Sequence, residues 1–516
     1  MRKHLSLACA LAVASSLMIT SPAAAATNID TKPLRDAVTV GGIRDHLAEL
    51  EKIAANNVFE GVPTRATGTP GHEDSVDYVV EKMQAAGFNV SLQPFEADIF
   101  FEQSEAVFAR VSPNPTTYPR YDGQNGVWYT ADFSGDGDVT AEAVAVDFTE
   151  PTTQASASSS GCEASDFGPE VVGKVVLLQR GTCDFGLKAQ NATEAGAAAA
   201  VIFNEGTIGM PDRNDVLIPT LTGYEVGIPV VGTDYATGRA LVDLANGSGV
   251  TVRVRVDGFI NENVQTNNVI AETPGGRADR TVVVGGHLDS VYEGPGINDD
   301  GSGVATMLET AEQMHELGIT PRNKVRFIFF SGEEQGLLGS DYYVSQLSKK
   351  EIQDISVMLD FDMLASPNYA RFIYDGNGDE HGFAGPNGSG NIEQVFKDFW
   401  DSQGLRYETI PFDGRSDYDA FTAAGIPAGG IFAGAEVLKT EAQVELYGGT
   451  AGVPFDRCYH QLCDDLSNIN ETGLSEHSDA AVHAILTFAQ TTSAVNGTGK
   501  GASKEPKEFK GHHKLR

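Results

Sequence analysis

Thr281-Val-Val-Val-Gly-Gly-His287-Leu-Asp289 begins as an unbroken apolar run and ends on a histidine and an aspartate two residues apart. A short β-branched run of this kind, closed by glycines, reads as a buried strand ending at His287. Working outward, Lys324-Val-Arg-Phe-Ile-Phe-Phe330 reads as a second strand that stops just before Ser331-Gly-Glu-Glu334. Ile355-Ser-Val-Met-Leu-Asp-Phe361 is a third, delivering Asp362. Between the first two lies Gly296-Ile-Asn-Asp-Asp-Gly-Ser-Gly303, a turn, followed by Val304 to Met314 with helical apolar spacing. Strands separated by a helical crossover predict an α/β fold with a central sheet flanked by helices. Polar side chains at the strand ends then fall in the crevice such sheets offer.

Five clusters would meet there: His287 with Asp289, Asp299 with Asp300, Glu333 with Glu334, Asp362, and Tyr459 with His460. Singly, each has an ordinary reading. Asp-Asp-Gly-Ser-Gly is a solvated turn, a Glu pair after a strand favours a helix N-terminus, and a lone His is a surface or core residue. Jointly they supply two imidazoles and three carboxylates as ligands and leave one carboxylate as a base, the donor set of a two-metal hydrolase. Asp289 faces the same side of an extended chain as His287, which suits a carboxylate fixing the imidazole tautomer.

The segments Gly286-His-Leu-Asp-Ser290, Gly296 to Gly303, Ser331-Gly-Glu-Glu-Gln-Gly-Leu337, Phe361-Asp-Met363 and Cys458-Tyr-His-Gln-Leu-Cys463 together resemble those of the secreted two-zinc aminopeptidases, the bacterial leucyl aminopeptidase and aminopeptidase Y family of peptidase clan MH. The likeness spans about residues 40 to 130 and 260 to 492, and Arg65-Ala-Thr-Gly-Thr-Pro-Gly71 is a further shared element. It implies that His287, Asp299 and Asp362 hold one zinc and that Asp299, Glu334 and His460 hold the other. A shared water would attack the first peptide bond with Glu333 as general base, and the phenol of Tyr459 would support the oxyanion. It also implies a cis peptide between Asp299 and Asp300, Arg415 beside the site, and an apolar first-residue pocket for which Met363, Phe432 and Tyr459 are candidate walls. Leucine is the expected preference, and Glu333 with Asp362 would pair with the substrate's α-ammonium.

From about Thr130 to Gly258 the texture changes to short apolar strands with few candidate ligands, and Gly173 to Cys183, the helical Phe185 to Ala195 and Gly196 to Asn204 resemble the protease-associated domain. The expected organisation is a signal peptide over 1–26, a zinc peptidase domain over 27–130 and 259–495, a β-rich protease-associated domain inserted over 131–258, and a disordered basic tail over 496–516. The inserted domain either covers the cleft or stabilises passively.

Met1-Arg-Lys-His before an apolar stretch and Ser21-Pro-Ala-Ala-Ala-Ala26 predict export, with a secreted, extracellular, monomeric product. The formal charge of −35 would move to about −37 on loss of Arg2 and Lys3. So acidic a surface excludes nucleic acid and anionic membranes as partners; calcium is a further candidate ligand by composition alone. Of the five cysteines, Cys9 belongs to the leader. The other four allow three pairings, of which Cys162 with Cys183 and Cys458 with Cys463 are expected. Two other functions remain open. One is a carboxypeptidase or dipeptidase of the same clan. The other is a non-catalytic receptor-like relative, against which the intact ligand set speaks.

Overall fold

The strand that opened the reading lies at the centre of the sheet. In the computed structural model, which describes residues 29–121, 125–154, 156–210, 213–382 and 384–496, Arg277–His287 pairs in parallel with Asn323–Phe330 on one side and Ile355–Phe361 on the other. Ala428–Phe432 adds a fourth parallel strand, then Phe372–Tyr374 pairs with it antiparallel and Glu408–Ile410 closes that edge. Side chains alternate between two cores, as the period of a strand requires. Val282, Val284, Phe327, Phe329, Val357 and Leu359 face the helices Val40–Asn56, Gly301–Glu316, Ser389–Gln403 and Glu471–Gln490. Val283, Ile328, Phe330 and Met358 pack on the opposite face with Tyr343, Tyr418 and Phe421. Burial on both faces is why these strands carry near-continuous apolar runs, over 282–284, 327–330 and 357–359. The mixed sheet flanked by helices is the fold the sequence implies.

The first helix of the crossover starts earlier than its apolar spacing indicates, at Gly301. Gly301, Ser302 and Gly303 are poor helix formers, but Asp300 caps them, its carboxylate accepting the Gly303 N–H at 2.9 Å. Glycine is needed at 303, where a Cβ would stand 1.9 Å from the Phe361 carbonyl oxygen.

Two long antiparallel strands, Asn89–Ser112 and Thr251–Glu272, form a ribbon that leaves this sheet. Residues 269–272 of the second pair with Asn323–Phe330, whereas residues 251–256 pair with Gly137–Val146. From there the sheet continues through Val175–Gln179, Ala199–Phe203 and Val230–Thr233 in parallel and ends on antiparallel Trp128–Thr130, around a separate core. One strand thus belongs to both units, and the register shifts between Arg255 and Asp257 and between Asn261 and Val264 bend the ribbon between them. The Cys162–Cys183 and Cys458–Cys463 disulfides are both formed. The expected signal peptide and all of the basic tail beyond Asn496 lie outside the described residues.

Candidate active site

Four elements deliver the predicted residues to one edge of the sheet. His287 ends its strand, Asp362 follows Phe361, Glu333 and Glu334 lie just beyond Phe330, and Asp299 precedes the cap of the crossover helix. His460 arrives from a distant loop closed by Cys458–Cys463. His287 Nε2 stands 3.1 Å from Asp299 Oδ1 and 3.7 Å from Asp362 Oδ1. His460 Nε2 stands 3.3 Å from the other oxygen of Asp299, Oδ2, and 3.0 Å from Glu334 Oε2. The carboxylate of Asp299 therefore lies between two imidazoles, one oxygen toward each. The peptide between Asp299 and Asp300 is cis, and Met363 and His460 have φ of 54° and 57°, a left-handed conformation that side chains rarely adopt.

The surroundings fix which atoms are free to bind. His287 Nδ1 lies 3.0 Å from the Asp289 carbonyl oxygen, which can only accept, so Nδ1 carries the proton and Nε2 presents its lone pair. Asp289 acts here through its backbone. Its carboxylate, expected to orient the ring, sits 3.8 Å from Nδ1 and accepts the Glu333 N–H at 3.3 Å instead. Asp300 is saturated: Oδ2 accepts the His287 N–H at 3.2 Å, and Oδ1 accepts from Gly303 and from Met363 at 3.2 Å. It fastens three elements, so that although Asp300 also groups with His287 and Asp362, Asp299 is the carboxylate freer to take a ligand. Ser416 donates to Asp362 Oδ2 at 2.8 Å, directing Oδ1 inward.

Several contributors carry little local signal. Asp464 accepts the backbone N–H of Asn298 at 2.9 Å and of Asp299 at 3.0 Å. Asn298 donates to Asp456 at 2.7 Å and to Ser366 at 3.1 Å. Arg65, fully buried, donates to the carbonyls of Pro295 at 2.9 Å and Gly296 at 2.6 Å and to that of Leu288. It thereby ties down the loop joining His287 to Asp299. The shared segment around Arg65 marked it, though with no role attached.

The electrostatics favour a cation here. Asp299, Glu333, Glu334 and Asp362 crowd around two imidazoles, and burial pushes Glu333 well above the carboxylate range and Glu334 up to about 7. Burial opposes ionisation of Asp299 too, yet its contacts to both imidazoles hold its pKa below the usual range. A buried excess of carboxylates is costly unless metal compensates it, and Glu334 Oε1 has no hydrogen-bond partner. Ligand atoms of His287, Asp299 and Glu334 lie within 4.8 Å of one another, so the residues fit a metal centre. The acidic group Asp375, Asp379 and Glu393 does not support calcium, because Asp375 is taken up by the N–H groups of Gly378, Glu380 and His381, and Glu393 by Lys397 and the Asn377 N–H.

A cavity of about 500 Å³ opens on Asp299, Glu333, Asp362 and His460 and is walled by Met363, Phe372, Ile410, Phe432, Phe455 and Tyr459. Arg415 lies at its rim, donating to Glu436 at 2.8 Å and to the Tyr459 hydroxyl at 3.2 Å. A second cavity, of about 170 Å³, reaches Glu334 and His460 from the other side, and Ile218 of the inserted unit lines it together with Arg120 and Tyr129 at the border of that unit.

Comparison with known proteins identifies the family and the fold. The family model described as Peptidase family M28 matches residues 268–485, and that described as PA domain matches residues 139–241. An aminopeptidase of Pseudomonas aeruginosa is 42% identical over 451 residues, 87% of this chain and 81% of its own. A probable leucine aminopeptidase 2 of Aspergillus fumigatus is 37% identical over 84% of this chain and 80% of its own. Among solved structures, the aminopeptidase from Aneurinibacillus sp. strain AM-1 superposes with a TM-score of 0.64 at 25% identity, over 88% of this chain and 95% of its own. A zinc aminopeptidase from Bacillus subtilis shares the fold at a TM-score of 0.54 and 23% identity, over 87% and 94% of the two chains.

Proposed function

Because the chain belongs to peptidase family M28 and carries a PA domain, we propose that it is a secreted zinc-dependent aminopeptidase that removes large apolar N-terminal residues, leucine first, from peptides and proteins. The observation that carries this reading is the carboxylate of Asp299 held between His287 and His460, one oxygen toward each. It supports a bridging role for Asp299, with His287 and Asp362 completing one zinc position and Glu334 and His460 the other. When bound, two such ions lower the pKa of a water and polarise the scissile carbonyl.

The chain's own residues supply the rest. Glu333, not needed as a ligand, takes the proton of the attacking water and returns it to the departing amine. The Tyr459 hydroxyl, positioned by Arg415, donates to the developing oxyanion. Glu333 and Asp362 give the α-ammonium a negative corner, while Met363, Phe432 and their apolar neighbours enclose the first side chain. Ile218 of the PA domain, beside Arg120 and Tyr129 at its border, lines the second cavity and supports a role for that domain in limiting how a peptide reaches the Glu334 side of the centre. Two disulfides fit an oxidising compartment, and no helix among the described residues is long and apolar enough to cross a membrane.

The test is hydrolysis of leucine para-nitroanilide by purified protein, beside its N-acetylated counterpart, a chelated sample and Glu333→Ala. Cleavage of the free-amine compound alone, abolished by chelation and in the variant, is expected. If zinc-loaded protein leaves it intact but trims C-termini or dipeptides, the exopeptidase assignment is wrong in direction; no turnover of any of these substrates would point to a binding protein.

A further inference from the structure

Glu309 and Glu312 lie one turn apart on Gly301–Glu316, the helix that begins at the active site, and their side chains meet His46 of Val40–Asn56 on the flank remote from the catalytic cleft. Three features orient these groups toward a common point. His46 is 3% exposed, and its Nδ1 is engaged by the Tyr78 hydroxyl at 2.7 Å, which fixes the ring and leaves Nε2 directed at the carboxylates. Glu309, 5% exposed, has Oε1 held by Gln313 at 3.2 Å, so that Oε2 faces the imidazole. Glu312 is arranged in the same way, with Oε1 held by Lys82 at 3.1 Å and Oε2 turned inward. Glycine at 42 makes room for this arrangement, since a Cβ there would stand 2.3 Å from Glu309 Oε1.

The spacing is wide enough for one ion to sit among the three groups. An imidazolium hydrogen-bonded to a carboxylate closes to about 2.7–2.9 Å. Here Nε2 keeps 3.7 Å from Glu309 Oε2 and 3.6 Å from Glu312 Oε2, nearly equidistant, a long ion-pair contact to each that is close to the span across a shared ion. Donors on a tetrahedral ion with bonds of about 2.0–2.2 Å stand about 3.3–3.6 Å apart. A histidine whose other nitrogen is anchored by a neighbour is the usual ligand arrangement.

We propose that His46, Glu309 and Glu312 form a metal site separate from the catalytic centre, taking a divalent transition ion of the zinc type, with solvent completing the coordination beside Glu312. The ion would clip helix Val40–Asn56 to the helix that carries Asp299 and Asp300 at its start.

The experiment is anomalous diffraction at the zinc edge from zinc-saturated crystals of the full protein, of His46→Gln and of Glu312→Gln. The expected result is a peak among the three side chains in the parent that disappears in both variants, with catalytic-centre peaks and leucine para-nitroanilide turnover retained. Thermal midpoints should rise on zinc reloading by more in the parent than in the variants. Glu312 is partly exposed, so its variant serves if the His46 change impairs folding. Absence of a peak in the parent, or its persistence in a folded variant, overturns the proposal. Position decides the result, so failure of the two-zinc reading would show as missing peaks at His287 and His460 and leave this test intact.

Discussion

Replacing Arg65 by methionine tests whether a buried cation with no contact to any proposed ligand sets the geometry of the centre. The guanidinium donates to the carbonyls of Leu288, Pro295 and Gly296, all within the segment between His287 and Asp299. Hydrogen bonds from a charged donor contribute about 1.5–3 kcal/mol each. Against them stands desolvation, which lowers the Arg65 pKa from its usual value to about 10, a cost on the order of 3 kcal/mol. The bonds outweigh that cost, and the variant should be less stable by about 2–5 kcal/mol, since three buried carbonyls lose their donor. The loop should relax and let His287 and Asp299 drift from their 3.1 Å approach. Zinc should then be lost at lower chelator concentration and kcat should fall about 10–100-fold, as misplacement by about 1 Å costs. Arg65→Lys should recover little, because one ammonium cannot span three carbonyls that a planar fork reaches together. Calorimetry, zinc content after dialysis and para-nitroanilide kinetics read these out. A methionine variant with the parent's melting temperature and zinc retention would refute the reasoning.

Further expectations follow from the same contacts. Glu333→Gln should keep zinc and KM while kcat drops about 10²–10⁴-fold, the range for a lost general base; equilibrium dialysis beside kinetics checks it. Tyr459→Phe should lower kcat by up to about 10²-fold with a small change in KM, if its hydroxyl acts on the oxyanion. Removing both Cys458 and Cys463 as alanines opens a loop worth about 2 kcal/mol of chain entropy, and should weaken zinc retention through His460 more than it lowers the melting temperature. Burial holds His477 and His483 at about 4, well below the usual 6.5. Below pH 6.5 the unfolded chain therefore binds protons that the folded chain refuses. Stability should be full above pH 6.5 and fall as the pH drops toward 4. Melting temperatures across that window should fall less steeply in His477→Gln; an equal slope would remove His477 from the account.

What could be read from the sequence depended on how local the cause was. The central strands were legible because burial on both faces gives them unbroken apolar runs, and because His287, Glu333 and Asp362 sit where those runs stop. The ribbon was not: its strands run over Asn89–Ser112 and Thr251–Glu272, far beyond any short apolar run, and cross from one unit into the other. Between the two units the ribbon is half-solvated, with Gly258, Asn261 and Asn263 interrupting the alternation at the register shifts. Pairing with its partner along the ribbon, not side-chain pattern, keeps that stretch extended.

The same distinction separates the ligands from the residues that hold them. A ligand's chemistry appears in its own side chain, so an imidazole or carboxylate beside a glycine-rich turn can be suspected from its neighbours. Asp464 reveals itself only through backbone N–H groups 166 and 165 residues away, at Asn298 and Asp299. Arg65 does so through carbonyls 223 to 231 residues away. Backbone partners leave no trace in residue type, since any residue offers the same N–H and C=O. Asp289 shows the converse: its carboxylate suggested the contact to His287, while its carbonyl makes the closer one. Carbonyl and carboxylate alike accept from Nδ1, so substituting Asp289 by asparagine should preserve the tautomer that exposes Nε2 and disturb chiefly the Glu333 N–H, which its side chain receives. The effect should therefore appear in kcat, through the placement of the base, with zinc affinity nearly unchanged. Loss of zinc at parent-like kcat per bound ion would return the orienting role to the carboxylate.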